Sequence, residues 1–129
     1  MTQNPIVLIH GLWNNPCLFG KLFKYIDSDK YQLLTPHLRH KFGKTSIISL
    51  AEKLNSDIIN VFGQSTPIDL VGFSMGGLVA RVWVQKLDGA KRTNRFISIG
   101  SPHNGTFTAQ LMPSFFLKGI SDMKRGSSL

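Results

Sequence analysis

The sequence predicts an α/β fold: a partial, doubly wound parallel sheet of about four strands with helices on both faces. Short apolar runs alternate with longer segments of helical periodicity, from strand to helix and back, and end on a fourth strand. The first run is apolar at every position, which is typical of a strand buried on both faces. With 129 residues we expect one incomplete domain over 1–129, with its core at 5–106.

The first strand is predicted at residues 6–9. Asn15 and Pro16 then indicate a helix start, because asparagine caps helices and proline favours the first helical position. Residues 27–29, Asp-Ser-Asp, end that helix. The apolar residues of this helix share one face: Leu18, Leu22, Tyr25 and Ile26.

A second strand is predicted at residues 31–35, and a basic loop follows at 37–44. Ser49 and Glu52 have the spacing of a capping box, so the second helix is expected to begin there. Gly63 ends it. Its apolar positions recur at helical spacing: Leu50, Leu54, Ile58 and Val61.

The third strand is predicted at residues 68–71 and the fourth at 96–99. Between them a helix runs over about 75–87, and Asp88-Gly89 closes it. Its apolar residues are Leu78, Val79, Val82, Trp83 and Leu87. The pattern then weakens, and residues 107–129 are expected to form a lid-like or poorly ordered tail.

The net charge of +8 and the pI near 10.0 raise the question of a nucleic-acid or anionic-lipid partner. The basic residues fall in three loose groups, at 39–44, 86–95 and 118–125, without a regular aromatic stripe or a known binding signature. We interpret them as a solvated basic surface and expect no nucleic-acid partner. A basic binding module stays open as an alternative.

Cys17 is the only cysteine, so the sequence predicts neither a disulfide framework nor a cysteine metal cluster. We expect no cofactor and no metal. The sequence shows no signal peptide, and no apolar run approaches the roughly 18 residues of a membrane span. A cytoplasmic location is the default expectation, although nothing in the sequence fixes the compartment.

Residues 72–76 read Gly-Phe-Ser-Met-Gly, directly between the third strand and the third helix. In a Gly-x-Ser-x-Gly turn the serine occupies a strained strand-to-helix bend, and its hydroxyl projects from the edge of the sheet. The two glycines are expected because side chains there would collide across the bend. Ser74 is therefore the candidate nucleophile, which needs a base for its proton and donors for an oxyanion.

His10, Gly11 and Leu12 end the first strand, where a loop that contributes to an oxyanion hole would lie. The backbone N–H groups of Leu12 and Met75 are the candidate oxyanion donors. Taken alone, a histidine at a strand end is more typical of a structural role.

Three segments together resemble lipases of the α/β-hydrolase superfamily, of the triacylglycerol-lipase type. Residues 5–12 resemble their first core strand and oxyanion loop, residues 69–81 their nucleophile elbow, and residues 99–106 the segment after the next strand. The resemblance covers residues 5–106. It implies the strand order 2-1-3-4 and hydrolysis of carboxylic esters, with an acyl lipid or similar ester as substrate.

In that family the acid and the histidine of the triad follow the serine after two further strands. The acids after Ser74 are Asp88 and Asp122, and the later histidine is His103. Asp88 lies at the far end of the third helix, about 20 Å from the serine at 1.5 Å per residue. The family's histidine that matches His103 is structural, so we do not expect it to be the base.

His37 and His40 lie in the basic loop and are interpreted as surface residues. We therefore interpret the chain as the N-terminal part of a longer hydrolase, which lacks the triad acid and histidine and is weak or inactive alone. A complementing C-terminal chain would then pair with the open edge of strand 96–99. The alternative is a non-catalytic remnant of the same fold.

Residues 111–117 form an apolar stretch with two interpretations. It is either a lid that contacts a lipid surface or a surface that the missing part of the domain covers, and we favour the second.

Overall fold

The computed structural model describes residues 3–11, 16–27, 29–39 and 45–101. In these ranges the chain forms strands β1 to β4 and helices α1 to α3. Two 3₁₀ turns precede α1 and β4, at Pro16–Phe19 and Gly89–Lys91. The strands are Ile6–Ile9, Leu33–Leu34, Ile68–Phe73 and Thr93–Ile99, and the helices are Gly20–Phe23, Ile47–Phe62 and Met75–Lys86.

The four strands form one parallel sheet in the order β2-β1-β3-β4. This confirms the predicted fold class and strand order. After β1 the chain moves to one side of it, to β2, and then crosses to the other side, to β3 and β4. Right-handed crossovers between parallel strands place α2 and α3 on the same face of the sheet, where the two helices pack together.

The core lies between the sheet and the pair α2 and α3. Trp83 of α3 is 1% exposed, and its indole N–H donates to Asn55 Oδ1 of α2 at 2.9 Å. The amphipathic periodicity of α2 produces this packing, since its buried residues lie on one stripe. They are Ile47, Leu50, Ala51, Leu54 and Ile58.

The first helix is shorter than predicted. The apolar face noted in the sequence is largely exposed, since Leu18 and Leu22 are more than a third exposed and Tyr25 is 86% exposed. Phe19 is the residue that packs inward, at 5% exposure.

The second helix begins three residues earlier than predicted. Ser46 is the N-cap, and its side chain accepts the backbone N–H of Ser49 at 3.2 Å. The predicted capping box at Ser49 and Glu52 is therefore wrong, because it would leave the fully buried Ile47 outside the helical stripe. Gly63 ends the helix as predicted, at a φ of 78° that favours glycine.

Strand lengths also differ from the sequence prediction. β2 has two residues, whereas β3 extends to Phe73 and β4 starts at Thr93. Pairing with β3 extends β4 to the polar residues 93–95, which the apolar pattern of the sequence does not predict as strand. Asn94 of β4 donates to Asp69 of β3 at 3.0 Å and supports that register. Within the described ranges, no helix is long and apolar enough to cross a membrane.

Candidate active site

A single residue joins β3 to α3, and that residue is Ser74. Its backbone has φ 55° and ψ −126°, a conformation that residues other than glycine rarely adopt. Holding such a conformation costs about 1–3 kcal/mol and persists only where the surrounding structure imposes it. Two hydrogen bonds impose it here: the Ser74 N–H donates to Ile99 O at 2.8 Å, and the Gly77 N–H donates to Ser74 O at 3.0 Å.

The side chain of Ser74 is not used to cap α3, although serine is a favoured N-cap residue and occupies that position. The residue is partly exposed. Its hydroxyl therefore lies at the N-terminus of a twelve-residue helix, where unpaired N–H groups and the helix dipole stabilise negative charge.

The loop after β1 lies directly against this bend. A Cβ atom on Gly11 would come within 2.9 Å of Phe73 O, 3.0 Å of Ser74 Cβ and 3.2 Å of the Met75 nitrogen. Only a residue without a side chain permits this approach. Gly76 makes the reciprocal contact, since its Cβ would overlap the carbonyl oxygen of Ile9. The backbone of Gly11 therefore borders both Ser74 and the amide of Met75.

The site lies at the switch point of the sheet. β1 and β3 are neighbours, but the chain leaves β1 toward β2 on one side and leaves β3 toward β4 on the other. In open α/β sheets, ligands bind at the carboxyl ends of strands where the direction of winding reverses. Ser74 and Gly11 follow the two strands that meet there.

His10 is fully buried beside this site. Its Nε2 accepts the backbone N–H of Leu38 at 2.9 Å, and its Nδ1 lies 3.0 Å from Gly11 O. Burial lowers the pKa of His10, and nearby His37 lowers it further, while the hydrogen bond to Gly11 acts in the opposite direction. The neutral imidazole is therefore the favoured form near neutral pH.

The structure places the other candidate residues as follows. Asp88 follows α3, separated from Ser74 by the full length of that helix, so it is not a partner of the serine. His37 is exposed, as predicted, and its ring centroid lies 5.7 Å from that of His10. Four candidates lie outside the described residues: Leu12, His40, His103 and Asp122.

Sequence reasoning missed two contacts of the site. Leu38 reaches His10 from 28 residues away, and no local pattern indicates it. Ser98 and Ser101 lie against Gly77 in the first turn of α3, where any side chain on that glycine would overlap Ser101. Of the residues that the structure describes, no three His, Cys, Asp or Glu side chains group as a metal site would require.

The family model for palmitoyl protein thioesterases matches residues 5–126. The chain belongs to the palmitoyl protein thioesterase family. Among curated proteins it is similar to lysosomal thioesterase PPT2 of Mus musculus, with 26% identity over 110 residues, and to that of Homo sapiens, with 24%. Each match covers 82% of this chain and 36% of the relative. The chain thus spans about a third of the length of the curated relatives it matches.

Solved structures confirm the α/β-hydrolase fold. Lipase BlEst2 of Bacillus licheniformis, in its mature form, superposes with a TM-score of 0.74 and 21% identity, over 97% of this chain and 56% of the lipase. Phospholipase PlaB of Legionella pneumophila gives a TM-score of 0.72 and 14% identity, over 98% and 34%. The expected resemblance to lipases and esterases is confirmed at the level of the fold.

Proposed function

We propose that the chain is the nucleophile-bearing part of a serine hydrolase that cleaves acyl esters or thioesters. Ser74 Oγ attacks the carbonyl carbon, and the N–H groups of Met75 and Leu12 bind the oxyanion. The observation that carries the proposal is the strained bend at Ser74, held in backbone contact with Gly11. Strain of this kind clusters at functional sites.

The reaction would follow the acyl-transfer sequence of serine hydrolases. A base removes the Ser74 proton as the hydroxyl attacks, and a tetrahedral oxyanion forms between the two amide donors. The intermediate collapses, the thiol or alcohol leaves with a proton, and water then hydrolyses the acyl-serine. Membership of a thioesterase family supports a fatty-acyl thioester as substrate.

The base and the acid would come from residues other than those that the structure describes. A serine hydrolase without its base retains only the effects of oxyanion binding and substrate binding. We therefore expect the chain alone to react slowly, and a protein that contains the whole domain to react fast.

An acyl-mimicking fluorophosphonate tests the nucleophile directly. We expect covalent labelling of Ser74, found by mass spectrometry of the labelled peptide and absent in Ser74→Ala. Ser56→Ala is the matched control, because Ser56 is exposed on α2 and should leave labelling unchanged. Labelling of another serine, or none even in a complete domain, would favour a non-catalytic remnant.

We also propose that a further strand, from a complementing C-terminal chain or segment, pairs with β4. Among the described strands β4 pairs with β3 alone, and Ile97 and Ile99 are 52% and 47% exposed. Strands of parallel sheets are normally buried on both faces, and an open apolar edge favours pairing with another chain.

Hydrogen exchange tests this partner. We expect fast exchange of the β4 amides that face away from β3, and protection when the C-terminal part of a family member is added. Protection should be accompanied by faster fluorophosphonate labelling of Ser74. Unchanged exchange and unchanged labelling at saturating partner would count against the complementing strand.

A further inference from the structure

The hydrogen bonds of His10 fix its tautomer. A backbone N–H can only donate, so the Leu38 N–H at 2.9 Å requires an unprotonated Nε2. In the neutral ring the proton then resides on Nδ1, which lies 3.0 Å from the carbonyl oxygen of Gly11. Both ring nitrogens are therefore engaged with backbone groups, and the ring is fully buried.

The bond to Gly11 acts on the peptide unit beside the nucleophile. A carbonyl and the N–H that follows it share one plane and point in opposite directions in a trans peptide. The Gly11 carbonyl is held toward His10, and a trans peptide would direct the proposed oxyanion donor to the opposite side. The Gly11 backbone packs directly against the bend, because a Cβ atom added to it would come within 3.0 Å of Ser74 Cβ and 3.2 Å of the Met75 nitrogen.

We propose that His10, as the neutral Nδ1–H tautomer, is a positioning residue that sets the Gly11 peptide beside Ser74. It connects three parts of the chain: the end of β1, the loop that contains Leu38, and the bend at Ser74. His10 is not the general base, since neither nitrogen is available to the serine. This inference rests on the proposed function only for its catalytic consequence.

Nitrogen-15 NMR of the histidine-labelled chain tests the tautomer independently of any activity. We expect protonated Nδ1 and unprotonated Nε2 for His10 from pH 8 down to 6.5, and slow exchange of the Leu38 amide. A cationic His10 at pH 6.5, or a proton on Nε2, would overturn the inference whether or not Ser74 reacts.

Two matched substitutions separate the two hydrogen bonds. His10→Asn places an amide donor near the position of Nδ1 and keeps the bond to Gly11, whereas His10→Gln places an acceptor near Nε2 and keeps the bond to Leu38. We expect His10→Gln to shift the Ser74 and Met75 amide resonances and to slow fluorophosphonate labelling of Ser74 about tenfold more than His10→Asn.

Labelling rates are compared at equal folded fraction, from urea unfolding curves, so that a loss of stability does not imitate a loss of positioning. Equal labelling rates and equal amide shifts in the two variants would show that His10 only packs in the core, and would overturn the proposal. If Ser74 is not labelled even in a complete domain, the proposed function fails, and the amide shifts alone decide the role of His10.

Discussion

The positive φ of Ser74 has a cost in stability that substitution can measure. A φ of 55° is strained for serine or alanine but accessible to glycine. We predict that Ser74→Gly is more stable than Ser74→Ala by about 1 kcal/mol, the strain relief less the extra entropy of glycine in the unfolded chain. Urea unfolding of the two variants measures the difference, and an alanine variant of equal or greater stability would show that the bend is not strained.

The titration of His10 gives a second prediction. Its pKa in the folded chain lies below the ordinary value of 6.5, because burial outweighs the opposing hydrogen bond to Gly11 and His37 adds a smaller lowering. Below about pH 6.5 the unfolded chain therefore binds a proton that the folded chain resists, so stability falls as the pH drops from 7.5 toward the folded pKa. The free energy of unfolding at pH 7.5 and 5.5 measures this loss, which His10→Asn should reduce. Equal losses in the two proteins would contradict it.

At the scale of elements, β1 and α3 approach so closely that only glycine fits between them. We predict that Gly76→Ala destabilises the chain by about 3–5 kcal/mol, because the added Cβ would overlap the Ile9 carbonyl oxygen. Gly20→Ala is the control: nothing lies within 4 Å of its Cβ position, and the residue begins α1. It should be neutral or stabilising by up to about 1 kcal/mol. Thermal unfolding distinguishes the two, and equal shifts would refute the close packing.

Arg92 joins the end of α2 to the start of β4. It is 8% exposed, and it donates to Thr66 O at 3.1 Å and to Gly63 O at 2.7 Å. We predict that Arg92→Met costs about 3 kcal/mol, because two carbonyl groups lose a charged donor. The exposed Arg95 provides the control, and Arg95→Met should change stability by less than about 0.5 kcal/mol. Similar losses in both variants, by urea unfolding, would contradict the role of Arg92.

At the scale of the whole molecule, the sheet order and the bend at Ser74 were accessible from the sequence. Apolar runs and a Gly-x-Ser-x-Gly turn are local signals, and the family resemblance supplied the order of the strands. The start of α2 could not be predicted from the sequence, because Ser46 and Ser49 both precede apolar residues. Only the burial of Ile47 identifies Ser46 as the N-cap. The hydrogen bond from the Leu38 N–H to His10 depends on the packing of segments that are distant in sequence, so no local pattern predicts it.

The amide of Ser74 is held by the carbonyl of Ile99, the last residue of the outermost described strand. Under the proposed function, disorder at the end of β4 would therefore disturb the nucleophile through this one hydrogen bond. We therefore expect labelling of Ser74 to become faster when a partner strand orders β4, since the same hydrogen bond then fixes the backbone of the serine.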